Sequence, residues 1–272
     1  MRMLVCVKQV PDTAEITVDP LTHRLLREGV PSILNTFDRY ALELALRLKE
    51  ALGVGCVTVL SMGPAQAEAV LRECLALGAD SAYLASDAAF GGSDTLATST
   101  ILARAAECIA AKEGPFGAIF CGKQAIDGDT AQVGPEMAEH LNIPQATNVT
   151  ETRYDDGRLH AKRETEEGYE ILALSLPCLL SVTKPPFEPR YASARGKLAT
   201  KRAPVEILNR DILQLDRECI GLKGSPTRVR KTYTPQVHKG GILVQGEEGE
   251  MAASGLFAFL QASNLIGREA PS

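Results

Sequence analysis

Four short apolar runs, each followed by a stretch of helical period, fill the first half of this chain and constrain its fold more than any other feature. Residues 3–7 (MLVCV) form a continuous apolar run, as a strand covered on both faces requires. After a loop through Pro11 and Asp12, the period predicts a helix over about 38–52. Ala41, Leu44, Ala45, Leu48 and Leu52 share one face of it, and Gly53 stops it. Residues 56–60 (CVTVL) read as the next strand. Gly63-Pro64 opens a second helix with Ala67, Val70, Leu71, Cys74 and Leu75 inward, ending at Gly78. A third strand is predicted at 82–85. Ser93-Asp94 caps a third helix carrying Ile101, Leu102, Ala105 and Ile109, closed by Gly114-Pro115. A fourth strand at 118–121 precedes a short helix over about 132–141. Such a succession implies a parallel sheet with right-handed crossovers, an α/β fold.

The pattern changes after residue 144. Asp155-Asp156-Gly157 separates two strand-like runs, 148–154 and 158–164, and signals a hairpin. A second turn is predicted at Glu167-Gly168, before a run at 171–176, and residues 179–183 (LLSVT) read as a further strand of the main sheet. Between 184 and 202, six Lys or Arg stand against one Glu, a local net charge of +5 in a chain whose total is −5. A polar, weakly structured segment follows to about Lys239. The chain then ends in a short helix near 250–260 with Met251, Leu256, Phe257 and Leu260 as its apolar residues. The expected division is an α/β domain over 1–205 and an extended C-terminal arm over 206–272.

Composition excludes several classes of function. A net charge of −5 and 5% aromatic residues, with no Trp, argue against nucleic-acid binding. The first apolar run breaks at Lys8, too soon for a signal segment, and no later run approaches the length of a membrane span, so a cytoplasmic protein is expected. The seven cysteines, Cys6, Cys56, Cys74, Cys108, Cys121, Cys178 and Cys219, are dispersed without a CxxC pair, so neither a disulfide framework nor a metal site is indicated. The four histidines, at 23, 140, 160 and 238, show no metal spacing and no nucleophile partner, and no GxSxG elbow occurs. Such a chain lets a cofactor carry the chemistry.

Ligands of open parallel sheets sit beyond the carboxyl ends of the strands, where strand order reverses. The loops at 8–13, 34–38, 61–64 and 122–133 are therefore the ones to inspect. The last reads Gly122-Lys123-Gln124-Ala125-Ile126-Asp127-Gly128-Asp129-Thr130-Ala131-Gln132-Val133. Gly122 and Gly128 permit close backbone approach, a helix start attracts phosphate, and Thr130 adds a hydroxyl. Asp127 and Asp129 would repel phosphate if aimed at it, and are expected to cap N–H groups or hold the loop. The bland reading, that Asp-Gly-Asp-Thr merely caps a helix, stands beside the ligand-binding one. No GxGxxG and no GxxxxGK[ST] occurs, which disfavours a standard dinucleotide fold and a P-loop.

The loop at 122–133 resembles the signature of electron transfer flavoprotein beta subunits. So do LVCVKQVPDT at 4–13, Asn35-Thr36-Phe37-Asp38, Ser61-Met62-Gly63-Pro64-Ala65, Ala76-Leu77-Gly78-Ala79-Asp80 and Glu188-Pro189-Arg190-Tyr191, in the same order. The resemblance implies a Rossmann-like, HUP-type nucleotide-binding domain, a small antiparallel extension, and an arm that reaches an FAD-bearing alpha subunit. It places the nucleotide among Cys6, Asn35, Thr36, Phe37, Asp38, Met62 and the residues from Gly122 to Val133. Single-flavin members hold AMP there and carry bulkier polar residues in the loop. Gly128, Ala131 and Val133 instead resemble the branch that holds a second FAD, takes hydride from NADH and bifurcates the electrons. The resemblance implies a low-potential carrier (ferredoxin or flavodoxin) and an acyl-CoA dehydrogenase-like flavoenzyme as partners. Residues 190–199 align with the family's recognition loop, including Arg190, Tyr191, Ala194, Arg195 and Lys197. The Leu that commonly anchors a dehydrogenase is replaced by Ala194, while Arg195 and Lys197 remain to steer an acidic partner. The rival readings are a subunit with purely structural AMP, and a nucleotide hydrolase or stress-response binding protein on the same architecture.

Overall fold

The computed structural model describes residues 1–12, 17–18, 25–26, 31–230, 249–263 and 265–266. Thirteen strands and eight α-helices lie among them. The first strand, β1 (Arg2–Cys6), is buried along four of its five residues, with Met3, Leu4 and Val5 at 0% exposure. Each such side chain contributes about 1.5–3 kcal/mol relative to exposure, which fixes the strand at the centre of the molecule. Where a plain loop was expected, β2 (Gln9–Pro11) pairs antiparallel with β5 (Ser32–Leu34), and β3 (Thr17–Val18) with β4 (Leu25–Leu26). Thr13 lies outside the described residues.

Helix α1 (Thr36–Leu52) follows, starting two residues before the predicted position, and Gly53 ends it in the left-handed conformation. Strand β6 (Cys56–Met62), helix α2 (Glu68–Leu77, entered through a 3-10 turn at Ala65–Ala67), strand β7 (Ser81–Ala85) and helix α3 (Thr95–Glu113) come next. Asp94 caps α3 by accepting from the Ala97 amide, as its position predicted. Strand β8 (Ala118–Gly122) and helix α4 (Val133–His140) complete the fourth unit.

The hairpin is present as β9 (Gln145–Asp155) and β10 (Arg158–Thr165), extended by β11 (Gly168–Leu174), all antiparallel. Strand β12 (Cys178–Val182) then returns to the main sheet between β9 and β8, parallel to both. Short helix α5 (Ala194–Thr200) occupies the basic stretch.

Beyond residue 203 the structure differs from the weakly structured segment expected there. Strand β13 (Glu206–Leu208) pairs in parallel with β7, and α6 (Arg210–Leu213) and α7 (Gly221–Gly224) follow. Three residues with two exposed side chains carry no readable period, yet they satisfy the open edge of β7. The expected loop up to Lys239 lies partly outside the described residues. The compact unit runs over Met1–Lys231, and a second unit, Thr232–Ser272, contains α8 (Gly249–Ala262). Helix α8 exposes Met251, Leu256, Phe257 and Phe259. No helix among the described residues is long and apolar enough to cross a membrane.

The nine-stranded sheet has the order β11-β10-β9-β12-β8-β1-β6-β7-β13. Apolar residues of α1 and α2 cover one face, and those of α3 and α4 the other. The chain runs outward from β1 through β6 and β7, then resumes on the opposite side of β1 with β8. Strand order thus reverses between β1 and β8, and the crevice beyond Cys6 and Gly122 is the topological switch point.

Candidate functional site

Three segments meet beyond the carboxyl ends of the strands: Lys8 after β1, Asn35 to Asp38 at the start of α1, and the loop after Gly122, while Met62 ends the neighbouring strand β6. Asp38 is 6% exposed, and its carboxylate accepts from the Lys8 amide at 2.7 Å and the Gly122 amide at 2.9 Å. Asn35, at 1% exposure, donates its amide to the Gln124 carbonyl at 2.9 Å and accepts from the Ile126 N–H at 3.1 Å. Gly122 is needed here because a Cβ would stand 2.6 Å from the Phe37 carbonyl carbon and 2.7 Å from the Asp38 nitrogen.

Burial pushes the Asp38 carboxyl up to about 7, against the lowering influence of the Lys8 amide, Asn35, the Gly122 amide and the Lys8 charge. Burial likewise raises the Cys6 thiol to about 12, with the nearby Asp38 charge adding to it, and raises Cys121 well above its ordinary value. Neither thiol is a thiolate nucleophile. Cys6 instead rests its sulfur 3.8 Å from that of Met137, as part of the core.

The loop itself turns tightly. The Ala125 carbonyl accepts from both Gly128 (3.2 Å) and Asp129 (2.9 Å), and Lys123 N–H returns to the Val182 carbonyl at 2.8 Å. Both acidic residues hold the loop, as one of the two expected roles had it. Asp127 pairs with the Lys8 ammonium at 2.7 Å, and Asp129 accepts from the Gln124 side chain at 2.8 Å. Neither caps a helix, which corrects the bland reading. Asp129 (φ 51°) and Ala131 (φ 54°) are left-handed, so α4 begins only at Val133, with Gln132 as an N-cap that makes no side-chain bond.

Residues 127–130 are exposed, and a Cβ at Gly128 would meet nothing within 4 Å. Gly128 therefore faces open space, unlike Gly122. Among the described residues, the N–H groups of Thr130 and Ala131 have no partner. Val133 packs against the core on the α3 side. Thr36 is exposed, the half-buried Phe37 ring meets Tyr40 edge-on at 6.2 Å, and Met62 is half-buried. Lys8 opens the loop at 8–13 that the sequence singled out, but it was not among the residues expected around the nucleotide; it joins the site through its amide and its ammonium.

The segment expected to meet a partner lies apart from this loop. Arg190 is not a free charge: its guanidinium binds Glu43 at 2.8 Å and Glu50 at 2.6 Å, and its amide donates to Glu43 at 3.1 Å. Burial alone would raise the Glu43 carboxyl, but the hydrogen bonds from Arg190 and Arg47 outweigh it and hold the group below its ordinary value. Within the expected recognition loop, residues 194–200 form a helix capped by Ser193, and Ala194, Arg195 and Lys197 are exposed on it. Tyr191 is 90% exposed. An open cavity of about 510 Å³ lies beside this segment, lined by Arg39, Arg72, Glu73, Tyr191, Lys197 and Lys201 among others and by none of the loop residues.

A mostly parallel, doubly wound sheet with a clamped, backbone-rich loop at its switch point is the architecture on which α/β proteins bind nucleotides. Residues 22–213 match the electron transfer flavoprotein domain. The chain is 49% identical over 250 residues to the electron transfer flavoprotein subunit beta of Megasphaera elsdenii, covering 91% of this chain and 93% of that one. It is 44% identical over 266 residues to the caffeyl-CoA reductase–Etf complex subunit CarD of Acetobacterium woodii (98% and 100% covered). It is 45% identical over 240 residues to Protein FixA of Azotobacter vinelandii (87% and 85% covered). The chain belongs to the electron transfer flavoprotein family, as a beta subunit, and its work is electron transfer.

Proposed function

We propose that this beta subunit binds FAD at the switch point, and works with an FAD-bearing alpha subunit in an NADH-oxidising, electron-bifurcating complex. The observation that carries the reading is the turn at 127–131, exposed from Asp127 to Thr130. Left-handed residues at Asp129 and Ala131 hold it, unpartnered N–H groups at Thr130 and Ala131 are presented on it, and open space lies over Gly128. Such a surface fits a pyrophosphate, whose oxygens take up backbone donors. When bound, FAD supplies the hydride acceptor for NADH and passes electrons toward a low-potential carrier such as ferredoxin or flavodoxin, and by way of the alpha subunit to a dehydrogenase-like flavoenzyme.

The chain's own residues position and insulate. Cys6, Asn35 to Asp38 and Met62 frame the crevice. Lys123 to Gln132 present backbone to the ligand, and Lys8 with Asp127 closes the gap between the two strand ends. The similarity to CarD, named for a caffeyl-CoA reductase–Etf complex, supports the bifurcating branch, as does the 41% identity to a chain named acryloyl-CoA reductase electron transfer subunit gamma. The division into a nucleotide domain and a C-terminal arm, with α8 covering apolar surface of the alpha subunit, belongs to the same proposal. Nucleotide extraction from the purified heterodimer tests it. Two FAD and no AMP are expected, and one FAD with one AMP would replace this reading by that of a single-flavin carrier with structural AMP.

A further inference from the structure

We propose that Asn35 and Asp38 are positioning residues: their side chains clamp the nucleotide loop from its buried side and act on the ligand through that loop, without touching it. The inference rests on the nucleotide-binding reading above and goes beyond it, because it assigns these two side chains a role other than contact. Four hydrogen bonds carry it. Asp38 takes one amide from the chain leaving β1 (Lys8) and one from the end of β8 (Gly122), across sequence separations of 30 and 84 residues. Asn35 holds the next stretch of loop at Gln124 and Ile126, about 90 residues away. Both side chains are nearly or fully closed to solvent, so all their hydrogen-bonding capacity points inward. The turn at 127–131 begins immediately beyond Ile126 and inherits its orientation from this clamp.

A buried carboxylate is a costly choice for two backbone donors, and the choice has a consequence. The groups that face Asp38 are Lys8 from the β1 side, Cys6 and Cys121 from the strands, and Cys74 from α2. All three thiols are raised and neutral, and Lys8, whose ammonium is shared with Asp127, supplies compensating charge. With the Asp38 carboxyl pushed up to about 7, its ionised fraction falls as pH drops below neutrality. The protonated carboxyl turns an O–H toward one of the two N–H donors, and the clamp loses a bond. Asp38→Asn mimics that state permanently. It is compatible with folding, because a neutral group here is relieved of the burial penalty.

The experiment uses the heterodimer, stripped of nucleotide, with FAD and AMP as separate probes and pH 6 and pH 8 as conditions. Asp38→Asn is expected to weaken binding about ten- to a hundredfold at pH 8, the range for loss of hydrogen bonds to a charged group. Its affinity should be flat between the two pH values, whereas the wild type weakens on acidification toward the variant. Amide hydrogen exchange on the nucleotide-free complex should show faster exchange at Lys8 or Gly122, whichever amide faces the new NH2 group, in Asp38→Asn, and at Ile126 in Asn35→Ala. Binding by Asp38→Asn within twofold of wild type, a wild-type pH profile in the variant, or unchanged exchange at these amides overturns the clamp. A wild-type complex that binds neither probe overturns the nucleotide reading and this proposal with it, and the exchange data then report separately on whether the clamp exists.

Discussion

Gly122 and Gly128 occupy the same loop, six positions apart in the sequence, yet an added methyl group at each meets opposite surroundings. At Gly122 a Cβ would lie 2.6 Å from the Phe37 carbonyl carbon and 2.7 Å from the Asp38 nitrogen, both backbone atoms at the start of α1 that cannot swing aside. Overpacking of this kind costs about 1–3 kcal/mol. Relief by shifting the loop would break the 2.9 Å bond from the Gly122 amide to Asp38, a hydrogen bond to a carboxylate worth about 1.5–3 kcal/mol. Gly122→Ala is therefore expected to cost roughly 3–5 kcal/mol, and at about 2–4 °C per kcal/mol for a unit of this size to lower Tm by roughly 6–20 °C. At Gly128 nothing lies within 4 Å and φ is not in the left-handed region, so Gly128→Ala is expected within about 0.5 kcal/mol of wild type. Thermal unfolding of the heterodimer, followed by calorimetry and by nucleotide release, compares the two variants directly. Equal Tm values for Gly122→Ala and Gly128→Ala would refute the packing argument.

Arg190→Ala removes the bonds to buried Glu43 and leaves Arg47 as its remaining partner, so a loss of about 1.5–3 kcal/mol at pH 7 is expected in urea unfolding of the heterodimer. Because Glu43 is held below its ordinary value in the folded state, the contribution is present above that ordinary value and disappears as pH falls through the folded one, so the wild type and variant curves should converge in acid. Gly128→Val, which fills the open space over the turn, should lower beta-subunit flavin while leaving Tm of the stripped complex unchanged, and Asp129→Ala should lower flavin by freeing the Gln124 side chain; intact flavin content in both would sink the loop assignment. Reversing both Arg195 and Lys197 should slow association with an acidic redox partner at low salt and matter little at high salt, and equal rates at every ionic strength would remove the steering role.

The alternation of strands and helices was legible because each strand of the parallel core is a continuous apolar run and each helix a clear period. Met3, Leu4 and Val5, or Ile101, Ala105 and Ile109, announce burial by their spacing alone. Strand β13 was not legible: Glu206 and Ile207 are exposed, and it exists because β7 offers an unpaired edge. Helix α5 escaped for a related reason, since none of its seven residues is buried and only the Ser193 cap marks it. At the site, the loop residues were visible through their chemistry, and Asp127 and Asp129 hold the loop as their charge suggested. The clamp was invisible, because Asn35 and Gln124 stand 89 residues apart and no local pattern relates them. Arg190 read as part of a basic recognition loop and its ion pair went unforeseen, because its partner Glu43 is buried on a helix 147 residues away.

Helix α1 carries two attachments on one rod. Asp38, in its first turn, grips the loop after β8, while Glu43 and Glu50 further along grip the segment that leads into α5. At 1.5 Å per residue, Asp38 and Glu50 are separated by about 18 Å along the axis, and the intervening backbone bonds hold that span nearly inextensible. The loop at the switch point and the segment before α5 thus share a common yardstick. A one-residue insertion between Asp38 and Glu43 would rotate one set of grips by about 100° relative to the other, so neither locus can be re-aimed in evolution without re-registering its counterpart.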